Sequence, residues 1–143
     1  MRMHGSCAAR NGAGVILLGA PGSGKSELLL RLIQRDFVLV ADDQIDVDDD
    51  AMARAPPPLA GLLEVRGLGI LRLPCLDAAR LVLAVRLRQP DGIPRLPRPQ
   101  RLASPDLPLV CLDPRRPSAV EFVSLALSCA LGQVRQVSGA FAA

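Results

Sequence analysis

The run Gly19-Ala20-Pro21-Gly22-Ser23-Gly24-Lys25-Ser26 matches the pattern G-x-x-x-x-G-K-[ST], and each part of it suits a phosphate chain. The glycines allow backbone N–H groups to turn inward around phosphate oxygens, and a following helix adds positive potential at its N-terminus. An ammonium at position 25 neutralises β- and γ-oxygens, and the Ser26 hydroxyl is a hard oxygen ligand for Mg²⁺. Lys25 is the only lysine in a chain whose other basic side chains are arginines. A compact point charge is thus kept for the one position where a phosphate needs it.

A second chemical signal is Asp42-Asp43. Either carboxylate could hold Mg²⁺ directly or through water, and one of the two could accept the proton of an attacking hydroxyl. A metal beside the pair would offset their mutual repulsion. The aspartates that follow, Asp46, Asp48, Asp49 and Asp50, read as a solvated acidic turn. His4 is the only histidine, and its position near a terminus assigns it no role. Leu63-Glu64-Val65-Arg66-Gly67-Leu68-Gly69-Ile70 sets one of three glutamates beside an arginine and two glycines, a combination suited to a metal or phosphate contact.

These residues need elements to position them. Val15–Leu18 is a continuous apolar run ended by Gly19, as in a strand buried on both faces. Lys25–Arg35 places Leu28, Leu29, Leu32 and Ile33 on one helical face. Phe37–Ala41 is a second apolar run that delivers Asp42-Asp43 at its carboxyl end, where open α/β sheets bind ligands. Pro56-Pro57-Pro58 predicts an extended stretch, Leu62–Val65 a short strand, and Leu81–Leu87 and Leu109–Leu112 two more. Between those two, Arg88–Pro108 is a proline-rich loop of a length that usually carries function. Ser118-x-x-Glu121 reads as a capping box opening a helix to about Leu131, and residues 132–143 read as a flexible tail.

Composition narrows the function classes. The 143 residues are about one domain's worth, half of them apolar and 22% charged, which suits a folded globular chain. Phe37, Phe122 and Phe141 are the only aromatic residues, so no stacking platform for nucleic-acid bases is available. A net charge of +3 is too small to imply a polyanionic partner. The apolar runs Gly14–Ala20 and Phe122–Leu131 fall short of the roughly 20 residues a membrane span needs, and the first leads straight into a charged motif rather than a signal-peptide cleavage site. Cys7, Cys75, Cys111 and Cys129 show neither zinc nor disulfide spacing and read as reduced thiols. The expectation is a cytoplasmic protein with no nucleic-acid or membrane partner.

The order His4-Gly5, phosphate loop, Leu39-Val40-Ala41-Asp42-Asp43 and Leu63–Ile70 resembles the catalytic domain of HPr kinase/phosphorylase, closely over residues 1–75. The resemblance implies an α/β P-loop domain of the HPr kinase/phosphoenolpyruvate carboxykinase type, a mixed sheet with flanking helices, spanning residues 1–131. It also implies a Mg²⁺-dependent kinase that uses ATP to phosphorylate a serine of the phosphocarrier protein HPr, and that in many members reverses the reaction by phosphorolysis to pyrophosphate. Under it His4 joins the catalytic set, Ser26 and Glu64 bind Mg²⁺, and one carboxylate of the pair, Asp43 in preference to Asp42, is the base and the acid of the reverse reaction. Arg95, in Arg95-Leu96-Pro97, takes the place of an arginine that stabilises phosphoryl transfer. Pro108–Leu125 matches the family's closing strand and helix in pattern only, so the reverse activity has no motif support. The chain looks like a short form without the regulatory N-terminal domain of long members, which assemble as hexamers through the catalytic domain. Two other readings share the phosphate loop: a small-molecule, nucleotide-type kinase, and a nucleotide-binding regulatory module without catalysis.

Overall fold

The computed structural model describes residues 1–142. The chain opens with β1 (Arg2–His4), β2 (Ser6–Arg10) and β3 (Ala13–Leu18), followed by α1 (Lys25–Ile33). Next come β4 (Val38–Ala41), β5 (Gln44–Val47) and β6 (Met52–Arg54), then a hairpin of β7 (Leu62–Val65) and β8 (Gly69–Arg72). The long strand β9 (Ala79–Leu87) precedes β10 (Gln100–Leu102), β11 (Leu107–Leu112) and α2 (Ala119–Ala130). The result is a mixed α/β fold.

Nine strands form one sheet in the order β1-β5-β6-β9-β3-β2-β4, with β11 beside the second half of β9 and β10 on the outer edge of β11. The strands β3, β9 and β11 run parallel. Their apolar runs are buried accordingly, Val15, Ile16 and Leu17 of β3 completely. β2 returns antiparallel to β3 through Asn11-Gly12, both at positive φ. That dipeptide is the turn whose twist matches a right-handed hairpin. β7 and β8 form a separate two-stranded sheet.

Both helices pack on one face. Leu28, Leu29 and Leu32 of α1 meet Val120, Val123 and Leu127 of α2 over Ala8, Leu17, Leu83 and Val85. The expectation of helices flanking the sheet is met on that side only. On the other side Ile45, Val47 and Ala53 pack with Cys7, Ile16 and Ala84, so the sheet curls and closes over its own rear face. Short strands with period-2 burial, such as β5, make this possible without further helices.

Three local expectations change. The capping box at Ser118 does not form: the Ser118 hydroxyl accepts from Arg116 Nε at 2.9 Å, and Glu121 accepts from Arg35 of α1 at 2.9 Å. A tertiary ion pair has taken the glutamate that a cap would use. Pro56 is extended, but Pro57–Leu59 closes a single 3-10 turn. Part of the stretch expected to be flexible is held instead, with Ala140 and Phe141 packed against the helix-side core and Gln136 Oε1 accepting from the Phe141 N–H at 2.6 Å.

Candidate active site

The three parallel strands end along one edge of the sheet, and Gly19–Ser26 follows directly on β3. Gly22 and Gly24 adopt φ of 80° and 102°, which only glycine takes at little cost. Gly24 is the N-cap of α1 and supplies no side-chain cap, so the first N–H groups of the helix are left facing the loop. Lys25 Nζ folds back to donate to the carbonyls of Gly19 at 2.8 Å and Ala20 at 3.1 Å. Ser23 Oγ is buried beneath the loop and has no partner among the described residues.

Ser26 reaches the acidic pair. Its hydroxyl lies 2.9 Å from Asp42 Oδ1 and 3.1 Å from Oδ2. Ser6, fully buried at the start of β2, donates to Asp42 Oδ1 at 2.7 Å. The strand order explains the junction: β2 lies between β3, which ends in the phosphate loop, and β4, which ends in Asp42. Asp43 sits at φ 70°, and the Gln44 N–H donates to the Asp42 carbonyl at 2.8 Å, closing a three-residue turn. For a residue other than glycine that conformation costs roughly 1–2 kcal/mol, least for Asp and Asn. A second tie holds the turn, because the Gly5 N–H donates to the Asp43 carbonyl at 3.0 Å. His4 pairs with Gln44 across β1 and β5, so the His-Gly dipeptide and Asp43 are joined by backbone. No side-chain hydrogen bond links His4 to either aspartate among the described residues.

The other predicted residues lie farther out. Glu64 is exposed on β7, opposite Ile70, while its neighbour Leu63 faces the helix-side core. Arg95 borders a cavity of about 660 Å³ with Pro94, Leu96, Phe122 and Leu125, whereas the phosphate loop borders another of about 570 Å³. The arginines facing Pro21–Gly24 are Arg31, Arg88 and Arg115. Arg88 and Arg115 follow the ends of β9 and β11, where the ligand edge of parallel strands would have pointed to them. Ser6 had no local signal at all. Two of the later aspartates are structural: Asp46 pairs with Arg2 at 2.8 Å, and Asp48 accepts the N–H groups of Asp50 and Met52, while Asp49 and Asp50 are exposed. Those donors, with Arg54, hold the Asp48 carboxyl below its usual range.

Among the described residues no three His, Cys, Asp or Glu side chains cluster closely enough to hold a metal alone. Mg²⁺ rarely asks for such a cage, being held by one or two protein oxygens together with phosphates and water. The Ser26 hydroxyl and Asp42 carboxylate, adjacent at the mouth of the loop, are a donor set of that kind.

Comparison with known proteins places the chain in a family. A family model described as the HPr Serine kinase C-terminal domain matches residues 1–82, more than half of the chain. An HPr kinase/phosphorylase of Burkholderia cenocepacia is 44% identical over 108 residues, covering 66% of this chain and 34% of the relative. One of Clostridium novyi is 44% identical over 85 residues, covering 57% and 28%. The chain thus spans about a third or less of the length of these curated relatives. The solved structure of the Hpr(Ser) kinase/phosphatase from Coxiella burnetii superposes with a TM-score of 0.77 at 23% identity, covering 92% of both chains, which shows the fold. The loop, the acidic turn and the His-Gly strand all fall within the matched residues, and the chain belongs to the HPr Serine kinase C-terminal domain family.

Proposed function

We propose that the chain is an ATP-using, Mg²⁺-dependent kinase that transfers the γ-phosphoryl group to a serine of an HPr-type phosphocarrier protein. The observation that carries this reading is the contact of Ser26 with Asp42, which joins the phosphate loop to the acidic turn. The loop's backbone N–H groups cradle the phosphates, and Lys25 exchanges the Gly19 and Ala20 carbonyls for γ-oxygens. Mg²⁺ held by Ser26 and Asp42, with Glu64 as a further ligand, would supply charge neutralisation at the β- and γ-phosphates. Asp43, presented by its strained turn, takes the serine proton as the hydroxyl attacks in line, and His4 orients it from β1. Arg95 borders another cavity, so the proline-rich loop would have to close over the nucleotide for it to meet the developing phosphoryl charge, which Arg88 and Arg115 already face. In the reverse direction phosphate attacks the phosphoserine, giving pyrophosphate, and Asp43 returns the proton to the serine oxygen.

The reaction's setting is the cytoplasm, where ATP is available and thiols stay reduced. The four cysteines are free, and no helix is long and apolar enough to cross a membrane among the described residues. A homo-oligomer, up to the hexamer of long family members, belongs to the same reading.

The test is intact-mass analysis of HPr incubated with the chain and Mg²⁺-ATP. A phosphoserine is expected, lost with Lys25→Ala and released as pyrophosphate chemistry predicts on adding phosphate. Asp43→Asn keeps a residue that tolerates positive φ; it should lower turnover at least roughly 100-fold while nucleotide affinity stays nearly unchanged. Nucleotide binding with no phosphorylated HPr, but with turnover on a metabolite, would replace this reading with a small-molecule kinase.

A further inference from the structure

We infer that Ser6 is a positioning residue that aims Asp42 at the metal of the bound nucleotide; the inference rests on the nucleotide reading above. Ser6 is the one fully buried polar residue among the described residues. Burying a hydroxyl is costly unless it is hydrogen-bonded, and Ser6 donates to a carboxylate oxygen of the acidic turn at 2.7 Å, the length of a charge-assisted bond. Asp42 Oδ1 thus receives Ser6 from beneath and Ser26 from the mouth of the loop, while Oδ2 meets Ser26 alone. One oxygen is tethered and the other is left to face a cation.

Topology makes the tether specific. Ser6 pairs with Leu17, the penultimate residue of β3, and the next residue, Cys7, pairs with Ala41, the last residue of β4. Among the described residues no other strand pairs with both the strand that delivers the phosphate loop and the strand that delivers Asp42. A serine at the first position of β2 is therefore placed to register the carboxylate against the loop before any nucleotide arrives. Partners that fix a ligand in this way typically change metal affinity by roughly 10–100-fold when removed.

The experiment measures binding rather than turnover. The affinity of the full chain for a non-hydrolysable ATP analogue is titrated with and without Mg²⁺, for the wild type, Ser6→Ala, Asp42→Asn and the double variant, each checked for cooperative unfolding. Ser6→Ala should leave the metal-free affinity within about twofold and reduce the tightening caused by Mg²⁺ by roughly tenfold or more. In the Asp42→Asn background it should add no further loss, because it acts through that carboxylate. If Ser6→Ala does not fold, Ser6→Cys keeps the site filled, at a slightly larger volume, with only a weak donor, and the same loss is expected. A folded variant with the wild-type Mg²⁺ response, or a loss additive to that of Asp42→Asn, would overturn the role of Ser6 alone. A wild-type chain on which Mg²⁺ has no effect would instead overturn the nucleotide reading and this inference together.

Discussion

Gly19 gives the sharpest test of how the phosphate loop is built. Its φ is not in the left-handed region, so alanine is allowed by the backbone and would ordinarily stabilise by about 0.4–1 kcal/mol through the unfolded chain. Packing opposes this. A Cβ at Gly19 would clash with Ser23 Oγ and stand 3.1 Å from Ser23 Cβ and 3.4 Å from Leu87 Cβ. Rotation of Ser23 could relieve the first contact, but not the second, and overpacking of this kind costs about 1–3 kcal/mol. The net expectation for Gly19→Ala is a loss of about 1–2 kcal/mol. Ser23→Ala alone should be neutral or slightly stabilising, since it removes a buried hydroxyl that has no partner. In the double variant the clash with Ser23 Oγ is gone, so about 1 kcal/mol of the Gly19→Ala cost should return. Urea unfolding of the four chains at a common m-value measures the coupling, which should exceed the additivity limit of about 0.5 kcal/mol. Additive effects, or a stabilising Gly19→Ala, would refute the reasoning by showing that the loop opens freely.

Two further expectations concern other parts of the molecule. Burial pushes the Cys7 thiol up to about 12, so a thiol reagent at pH 8 should modify Cys75, Cys111 and Cys129 in the folded chain and reach Cys7 only in denaturant, as counted by intact mass. The Asp48 carboxyl is held below its usual value chiefly by the Met52 N–H, with Asp50 and Arg54 adding to it. A depressed folded pKa means its contribution is complete above the ordinary Asp range near 3.8 and is lost as pH falls through the lower folded value. Asp48→Asn should therefore flatten the decline of the urea midpoint between about pH 5 and 3; an unchanged decline would remove Asp48 from the acid response.

The parts of the fold that were legible in the sequence are those where local pattern and tertiary demand coincide. Val15–Leu18, the Leu28–Ile33 stripe and the run before Asp42 are dictated by burial, and burial is written in residue type. The short strands β1, β5 and β6 are not, because three or four alternating residues resemble any polar turn until a partner strand fixes their register. Asn11-Gly12 did carry a hairpin signal, masked by the small residues of Ser6–Ala9 on its other side. In the site, Lys25, Ser26 and the acidic pair stand out by type and spacing. Ser6, Arg88 and Arg115 acquire meaning only through strand order, which brings the starts and ends of distant segments to one edge.

The placement of β2 between β3 and β4 sets a ruler. The phosphate loop and the acidic turn leave the sheet two strand spacings apart, about 10 Å, and that interval is fixed by main-chain hydrogen bonds rather than by the shapes of side chains. An aliphatic core can then drift in composition, raising or lowering stability, without altering the gap across which a phosphoryl group would travel. Sequence change in such a domain should be tolerant in the interior and strict at the few positions that span the gap.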